Sequence, residues 1–462
     1  MKIQRTITPV DGTVYCERQL ASEAELEAVL QRAAAAQRAW RGTDLAARAA
    51  ICRRFCDAFE ARRDAIALEL TWQMGRPISY APSEVRGTLE RARYMIDIAP
   101  EALADVDAGP KEKFRRFVRR EPLGVVFTVA AWNYPYLIAV NSVVPAIMAG
   151  NAVVLKHSAQ TPLCAERFAE CFAEAGLPEG VFQAVHLSHE STERAIRDPR
   201  VDFVAFTGSV AGGHAVQRAA ADRFIGTGLE LGGCDPAYVR HDANLAHAVD
   251  SLVDGAFFNS GQSCCGIQRI YVHERLYDDF VAGAVALTNR YVLGDPTSAD
   301  TTLGPVVRTA AAEQIRRQVA ASVAAGAIPA IDEKAFAKSA AGTPYMAPQL
   351  LLGVDHRMPV MREEIFGPVA GIMKVAGDDE ALSLMNDSDF GLTAAVWTAD
   401  VEAGAALGDR IETGTFFVNR CDYLDPALAW VGVKDSGRGC TLSRVGYEHL
   451  TRPKSFHLRL ET

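Results

Sequence analysis

Val201-Asp202-Phe203-Val204-Ala205-Phe206-Thr207-Gly208-Ser209 is an apolar run of strand length that ends in a Gly-Ser turn, and Ala-rich helical sequence follows it. A strand apolar on both faces must be covered by helices on both sides, which is the habit of parallel sheets. Outward from this stretch the same alternation repeats. Upstream, residues 152–156 read as a buried strand and 161–175 as a helix closed by Gly176 and Pro178. Then 181–187 reads as a strand and 190–197 as a helix; downstream, 211–221 reads as a helix and 224–231 as a strand. This is an α/β pattern of right-handed βαβ units, whose loops at the strand carboxyl ends take ligands.

The pattern restarts after Gly233. Helices are expected over 244–258, 276–291, 380–385 and 401–411, and strands over 269–273, 368–375, 393–398 and 415–418. That makes a second α/β unit, as the chain's 462 residues, too many for one core, also require. The first hundred residues read as mostly helical, with Ala-rich periodicity over 23–71. The tail, 446–460, is either an edge strand that pairs with another subunit or a plain terminal strand.

Composition narrows the partners. The formal net charge is −9, and the densest basic stretch, 113–120, is short. Neither nucleic acid nor an anionic membrane is therefore an expected partner. The ten cysteines are irregularly spaced with no CxxC pair, which disfavours a zinc site or a disulfide framework; no metal is expected. The amino terminus lacks a secretory signal, and a reducing, cytoplasmic setting is the natural reading. Residues 122–155 carry no charge and are long enough to span a bilayer. Trp132-Asn133-Tyr134-Pro135, Asn141, Pro145 and Gly150-Asn151 would break a spanning helix, so a buried strand, loop, helix and second strand is expected instead.

Four features carry chemistry. Cys264 and Cys265 follow Gly261-Gln262-Ser263 at a helix end, where a strained loop and nearby backbone N–H groups favour a thiolate. A lone cysteine is more often a small buried hydrophobe. Glu230 ends an apolar strand in Leu229-Glu230-Leu231-Gly232-Gly233. Apolar surroundings raise a carboxyl pKa, which suits a general base, although a capping or salt-bridged Glu is an equal reading. Gly208, Ser209 and Gly213 open a helix whose amino terminus suits a diphosphate. Lys156, at a strand end, either contacts an adenosine ribose or snorkels to solvent.

Together these residues resemble the aldehyde dehydrogenase superfamily over nearly the whole chain. The markers run in the family's order: Glu121-Pro122-Leu123-Gly124-Val125-Val126, Trp132-Asn133-Tyr134-Pro135, Lys156, Phe206-Thr207-Gly208-Ser209, Glu230-Leu231-Gly232-Gly233 and Gly261-Gln262-Ser263-Cys264. Glu364-Ile365-Phe366-Gly367-Pro368, Asn419 and Lys434-Asp435-Ser436-Gly437 follow. The resemblance implies Cys264 as nucleophile, Asn133 with the Cys264 amide as oxyanion hole, and Glu230 as activator of water. It also implies that Glu364 holds the nicotinamide ribose with Phe366 nearby, and that Trp132, Lys156, Ser209 and Leu231 contact NAD or NADP. Two family rivals stay open: a CoA-acylating branch, which usually lacks the glutamate at 230, and a non-catalytic homologue.

The sequence also departs from the family pattern. Ala131 stands where proline is common, Cys234 where lysine is, and His189 where glycine often lies near the cofactor. Ala159 replaces the glutamate that NAD-selective members often carry three residues after the lysine, so NADP is an admissible cofactor. By register, 419–434 should furnish pocket wall through Cys421, Tyr423, Leu424 and Trp430, with Tyr134 added. Such walls fit an aromatic or medium-chain aldehyde. Arg420 and Asp422 are positioned to pair with a charged substrate, and packing of the domain interface would use the same aromatics. The resemblance implies a Rossmann-like cofactor domain (1–103 and 123–232) and a second α/β catalytic domain (233–440). A small β oligomerisation element (104–122 and 441–462) completes a homodimer or homotetramer.

Overall fold

The structure, a computed structural model, describes residues 2–461. Its first sheet has six strands in the spatial order Gly437–Arg438, Gly226–Glu230, Phe203–Thr207, Val125–Ala130, Ala152–His157 and Phe182–Ala184. All neighbours are parallel except the first pair. Every residue of the central strand Val125–Ala130 is buried, as two covered faces require. The uncharged stretch resolves into that strand, a loop, the buried helix Pro135–Met148 and the strand Ala152–His157. Among the described residues no helix is long and apolar enough to cross a membrane.

Two expected strands are shorter than their apolar runs. Only Phe182–Ala184 of 181–187 is a strand, although Val185 still donates to the Leu155 carbonyl (3.0 Å). Phe203–Thr207 begins after Asp202, whose side chain leaves the ladder to accept the Val125 amide (2.8 Å).

The second sheet has seven strands: Ile328–Pro329, Gln349–Leu352, Val369–Val375, Ile267–His273, Asp235–Val239, Thr393–Trp397 and Thr415–Val418. The periodicity missed Asp235–Val239 and Gln349–Leu352, which are short runs holding a Pro and a Gln. In the first sheet the carboxyl ends of the parallel strands carry the candidate residues: Glu230 and Thr207 close two of them, and Trp132-Asn133 follow a third.

The first hundred residues are mostly helical as expected, and the hairpin Ile3–Ile7 with Val14–Gln19 precedes the helices. The Ala-rich pattern divides into Glu23–Trp40, Leu45–Glu60 and Arg63–Met74, the first started by a capping box between Ser22 and Glu25. The tail divides too. Ser443–His449 is a helix, and Thr451–Arg459 is a strand that pairs over nine residues with Phe114–Pro122 of its own chain, its outer edge left open. Val106–Asp107 completes that third sheet.

Helix Leu45–Glu60 packs on Pro162–Glu174, which in turn covers the first sheet at Phe182, through a cluster of rings. Phe55 stacks on Phe172 (4.0 Å between centroids) and lies within 5.8 Å of both Phe59 and Phe168. Truncating a buried phenylalanine removes transfer energy and leaves a cavity. Phe55→Ala is expected to destabilise the first unit by about 3–5 kcal/mol, read as a lowered denaturant midpoint.

Candidate active site

The loop that carries Cys264 starts where the helix Leu245–Phe257 stops. Asn259 (φ 53°), Ser260 (φ 57°) and Gly261 (φ 68°) then adopt left-handed backbone in succession. Two of these are not glycine, and such backbone costs roughly 1–2 kcal/mol per residue. Neighbours hold it in place. Ser260 Oγ donates to the Gly304 carbonyl (2.9 Å), and Asn259 Nδ2 donates to the carbonyls of Asn133 (3.1 Å) and Gln262 (3.2 Å). Gly261 approaches the Gly367 carbonyl so closely that a Cβ would sit 2.1 Å from its oxygen. The turn delivers Cys264, half-buried, to the wall of a cavity of about 310 Å³.

Glu230 lies on the same cavity. Thr207 Oγ1 donates to its Oε2 (3.0 Å) and Thr441 Oγ1 to its Oε1 (2.6 Å). Burial raises its pKa, while the two hydroxyls and the Arg91 charge oppose the rise. Asn133, buried, donates one Nδ2 hydrogen to the Gln262 carbonyl (3.2 Å), which leaves the second for another acceptor.

Tyr134, Tyr423, Leu424 and Trp430 line this cavity, and Cys421 does not. Its Sγ turns toward the helix behind, donating to the Ser251 carbonyl (3.4 Å) over Gly255, because the space beside Gly255 is open to it. Asn419 is also structural here: its amide exchanges hydrogen bonds with both Thr398 backbone groups (2.9 Å each) and so joins two strands. Cys265 is buried and donates a hydrogen bond to Asp422 Oδ1 (3.1 Å), which also accepts from Ser263 Oγ (2.8 Å). Cys234 is buried under the Glu363 carbonyl.

The residues expected at a dinucleotide sit together at the adjoining strand ends. Ser209 caps the helix Val210–Ala220, its Oγ accepting the Gly212 amide (3.2 Å), and so leaves other first-turn amides open to an anion. Gly208 and Gly212 are pressed on the Phe206 ring and Gly213 on Leu231, where a Cβ would come within 2.8 Å. The Lys156 ammonium has no partner among the described residues, and burial lowers its pKa. Glu364 packs over Gly232, accepts the Gly233 amide (3.2 Å), and is pushed by burial up to about 7. Trp132 meets Phe366 edge to face at 5.6 Å. An unpaired buried cation, an open helix amino terminus and a poorly satisfied carboxylate fit a nicotinamide dinucleotide.

Thr207, one hydroxyl on Glu230, lies inside the Phe206–Ser209 motif, whereas Arg86 and Arg91 on the cavity wall, Thr441 on Glu230 and Arg76 behind Asn133 stand outside every expected site motif. No spacing marks the residues outside the motifs, because each reaches the site from an element far away in sequence.

A cysteine and a hydroxyl-held carboxylate facing one cavity beside such a cleft define a cofactor-dependent oxidoreductase that works through a thiol. The pattern of the Aldehyde dehydrogenase family matches residues 2–456, and the chain belongs to that family. It is an oxidoreductase acting on the aldehyde group with NAD or NADP. It is 36% identical to a Mycobacterium avium (strain 104) succinate-semialdehyde dehydrogenase [NADP(+)] over 453 residues, 97% of this chain and 95% of that protein. Two crystal structures agree over almost their whole length. One is succinic semialdehyde dehydrogenase from Streptococcus pyogenes with NADP+ (TM-score 0.94, 29% identity, 99% of this chain and 100% of that one). The other is NAD-dependent aldehyde dehydrogenase from Sinorhizobium meliloti (TM-score 0.95, 32% identity, 100% and 92%).

The hydrogen bond from Thr441 favours the charged form of Glu230. Thr441→Val removes it, so the carboxyl pKa should rise further. The acid limb of the single-turnover hydrolysis profile should then move to higher pH, and an unmoved limb would exclude Glu230 as the titrating base.

Proposed function

We propose that the chain oxidises a short aldehyde bearing a carboxylate to the corresponding diacid. Cys264 is the nucleophile, Asn133 the oxyanion donor and Glu230 the general base. The observation that carries this reading is the placing of Cys264 and Glu230 on one cavity whose wall also holds a buried arginine with no ion-pair partner among the described residues.

The Cys264 thiolate adds to the aldehyde carbonyl and forms a thiohemiacetal. The free Asn133 amide hydrogen and the Cys264 N–H stabilise the oxygen charge as it develops. The nicotinamide, when bound, accepts the hydride that leaves this adduct, and a thioester stays on Cys264. Glu230 takes a proton from water, which attacks the thioester, releases the acid and frees the thiolate. A carboxylate held by two hydroxyls beside the thioester supports hydrolysis over transfer to CoA. The presence of Cys264, Asn133 and Glu230 together counts against a non-catalytic homologue.

Arg91 supports the choice of substrate. It is 8% exposed, and its Nη1 donates to the Leu137 carbonyl (2.9 Å) and Asn141 Oδ1 (3.2 Å). It has no ion-pair partner among the described residues, and neither has Arg86 farther along the same helix face. Glu230 and Glu84 act on the Arg91 charge only from beyond ion-pair distance, so a substrate anion in direct contact would offset more of its desolvation. The names of the relatives point the same way. The aromatic walls favour a second reading, an apolar or aromatic aldehyde.

Cofactor reduction at 340 nm with succinate semialdehyde, butanal, hexanal and benzaldehyde separates the two readings. Succinate semialdehyde should lead, without CoA, and Cys264→Ala should be silent. Arg91→Met should lower kcat/KM for succinate semialdehyde by about 30–150-fold relative to butanal, the equivalent of about 2–3 kcal/mol for an unpaired buried charge. A lead by benzaldehyde or hexanal, or an equal loss on butanal, would defeat the carboxylate reading.

NADP fits the region after Lys156. Ala159 supplies no carboxylate against a 2′-phosphate, and its carbonyl is occupied by Thr6 Oγ1 (2.8 Å). Ala159→Glu should lower kcat/KM for NADP relative to NAD by at least about 30-fold, since like charges in contact cost several kcal/mol.

A further inference from the structure

One arginine ties together the three segments that meet behind Asn133. Arg76 follows the left-handed cap Gly75 (φ 84°) of the helix Arg63–Met74 and is 2% exposed. Its donors go three ways. Nη1 pairs with the fully buried Glu84, Nη2 donates to the Asn133 carbonyl (2.5 Å), and Nε donates to Asn259 Oδ1 (3.1 Å). Glu84 spends its other oxygen on the amides of Tyr136 (2.9 Å) and Leu137 (3.2 Å), in the first turn of the helix Pro135–Met148. Asn259, in turn, donates to the Asn133 and Gln262 carbonyls, and Asn133 donates to Gln262. The bonds close into a ring through the oxyanion donor, the left-handed turn before the nucleophile and the helix that follows Asn133.

We propose that Arg76 is a positioning residue, whose planar fork fixes the Asn133 amide relative to Cys264 and so sets the oxyanion geometry. This inference rests on the reading of Asn133 as oxyanion donor. Arg76 reaches the cavity only at its edge, over the Tyr134 ring, and bonds to Asn133 and Asn259 rather than to Cys264, so it acts through them. A lysine has the charge but not the fork, and cannot reach three acceptors lying in one plane. A buried ion pair is weak evidence of stabilisation, because desolvation offsets its attraction. Its place is explained by geometry instead. The Glu84 carboxylate neutralises the guanidinium and at the same time accepts the open amides at the helix start, so that the helix, the arginine and the asparagine keep one arrangement.

The test is a double-mutant cycle read in the pre-steady-state burst of cofactor reduction, with the fastest aldehyde of the panel above. Asn133→Ala should slow the burst by about 10²–10³-fold, the usual loss for one oxyanion donor. Arg76→Lys alone should slow it by about 10²-fold, as a misplacement near 1 Å does, with KM for aldehyde and cofactor held within about twofold. In the Asn133→Ala background Arg76→Lys should cost less than about threefold more, because the group it positions is gone. Asn259→Gly, which keeps the left-handed backbone and loses the amide, provides a second cycle with the same expected coupling should Arg76→Lys not fold. A normal burst in Arg76→Lys, or losses that multiply in full in both cycles, would overturn the proposal. A normal burst in Asn133→Ala would overturn the oxyanion reading, and this proposal with it.

Discussion

Three consecutive residues in left-handed backbone, Asn259 to Gly261, stand between the helix Leu245–Phe257 and Cys264. An L-residue in that conformation is costly, and two of the three have side chains. The turn persists because groups from the rest of the chain over-determine it: Gly304, Gly367, Asn133 and, through Asn259, the buried Arg76–Glu84 pair. Backbone strain at a functional site survives only under such support. Both sheets, the helix after Asn133 and the loop near Gly367 therefore contribute to where one sulfur sits.

The cavity in front of that sulfur is electrostatically mixed. Glu230 and Asp422 have raised pKa values, and burial is the first cause in each case. Arg91, hydrogen-bonded to Asn141 and acting on Glu230, is an opposing charge whose pKa burial lowers. Glu230 keeps two hydroxyl donors and a cation nearby, so its ionised form is accessible despite burial. Asp422 instead spends one oxygen on Ser263 and Cys265, and the contact with Cys264, with burial, pushes the Cys265 thiol well up, so that it stays neutral on the same cavity. Vicinal cysteines in sequence thus end with different partners in space.

What the sequence made legible follows from how local each signal is. Strands such as Val125–Ala130 and Ala152–His157 are continuous apolar runs between turn residues, and their positions could be read directly. Asp235–Val239 and Gln349–Leu352 could not, because a proline or a glutamine interrupts the pattern and only neighbouring strands supply the missing pairing. The opening hairpin was hidden for a similar reason, being polar and largely exposed. At the site, Cys264, Glu230 and Asn133 lie in motifs with their own spacing. Arg91, Arg76 and Thr441 act from helices and loops 40 to more than 200 residues away from the groups they serve, and nothing in their own surroundings announces it. Cys421 shows the converse error: register placed it in the wall, but an unfilled space over Gly255 drew its sulfur to the other side.

The uncharged stretch from Pro122 to Leu155 has a consequence for how the chain is made. Its strand Val125–Ala130 is flanked in the finished sheet by Ala152–His157 on one side and Phe203–Thr207 on the other. During synthesis the second neighbour emerges some seventy residues later, so one edge of a wholly apolar strand waits without a partner. Such an edge is the kind that recruits other chains, and nascent chains are most vulnerable while it is open. Arg119, Arg120 and Glu121 on one flank and Lys156 on the other place charges against stray association at both ends of the stretch. The yield of folded protein should therefore depend on how quickly the ribosome delivers the residues up to Thr207, a kinetic demand set by the same apolar burial that holds the sheet together.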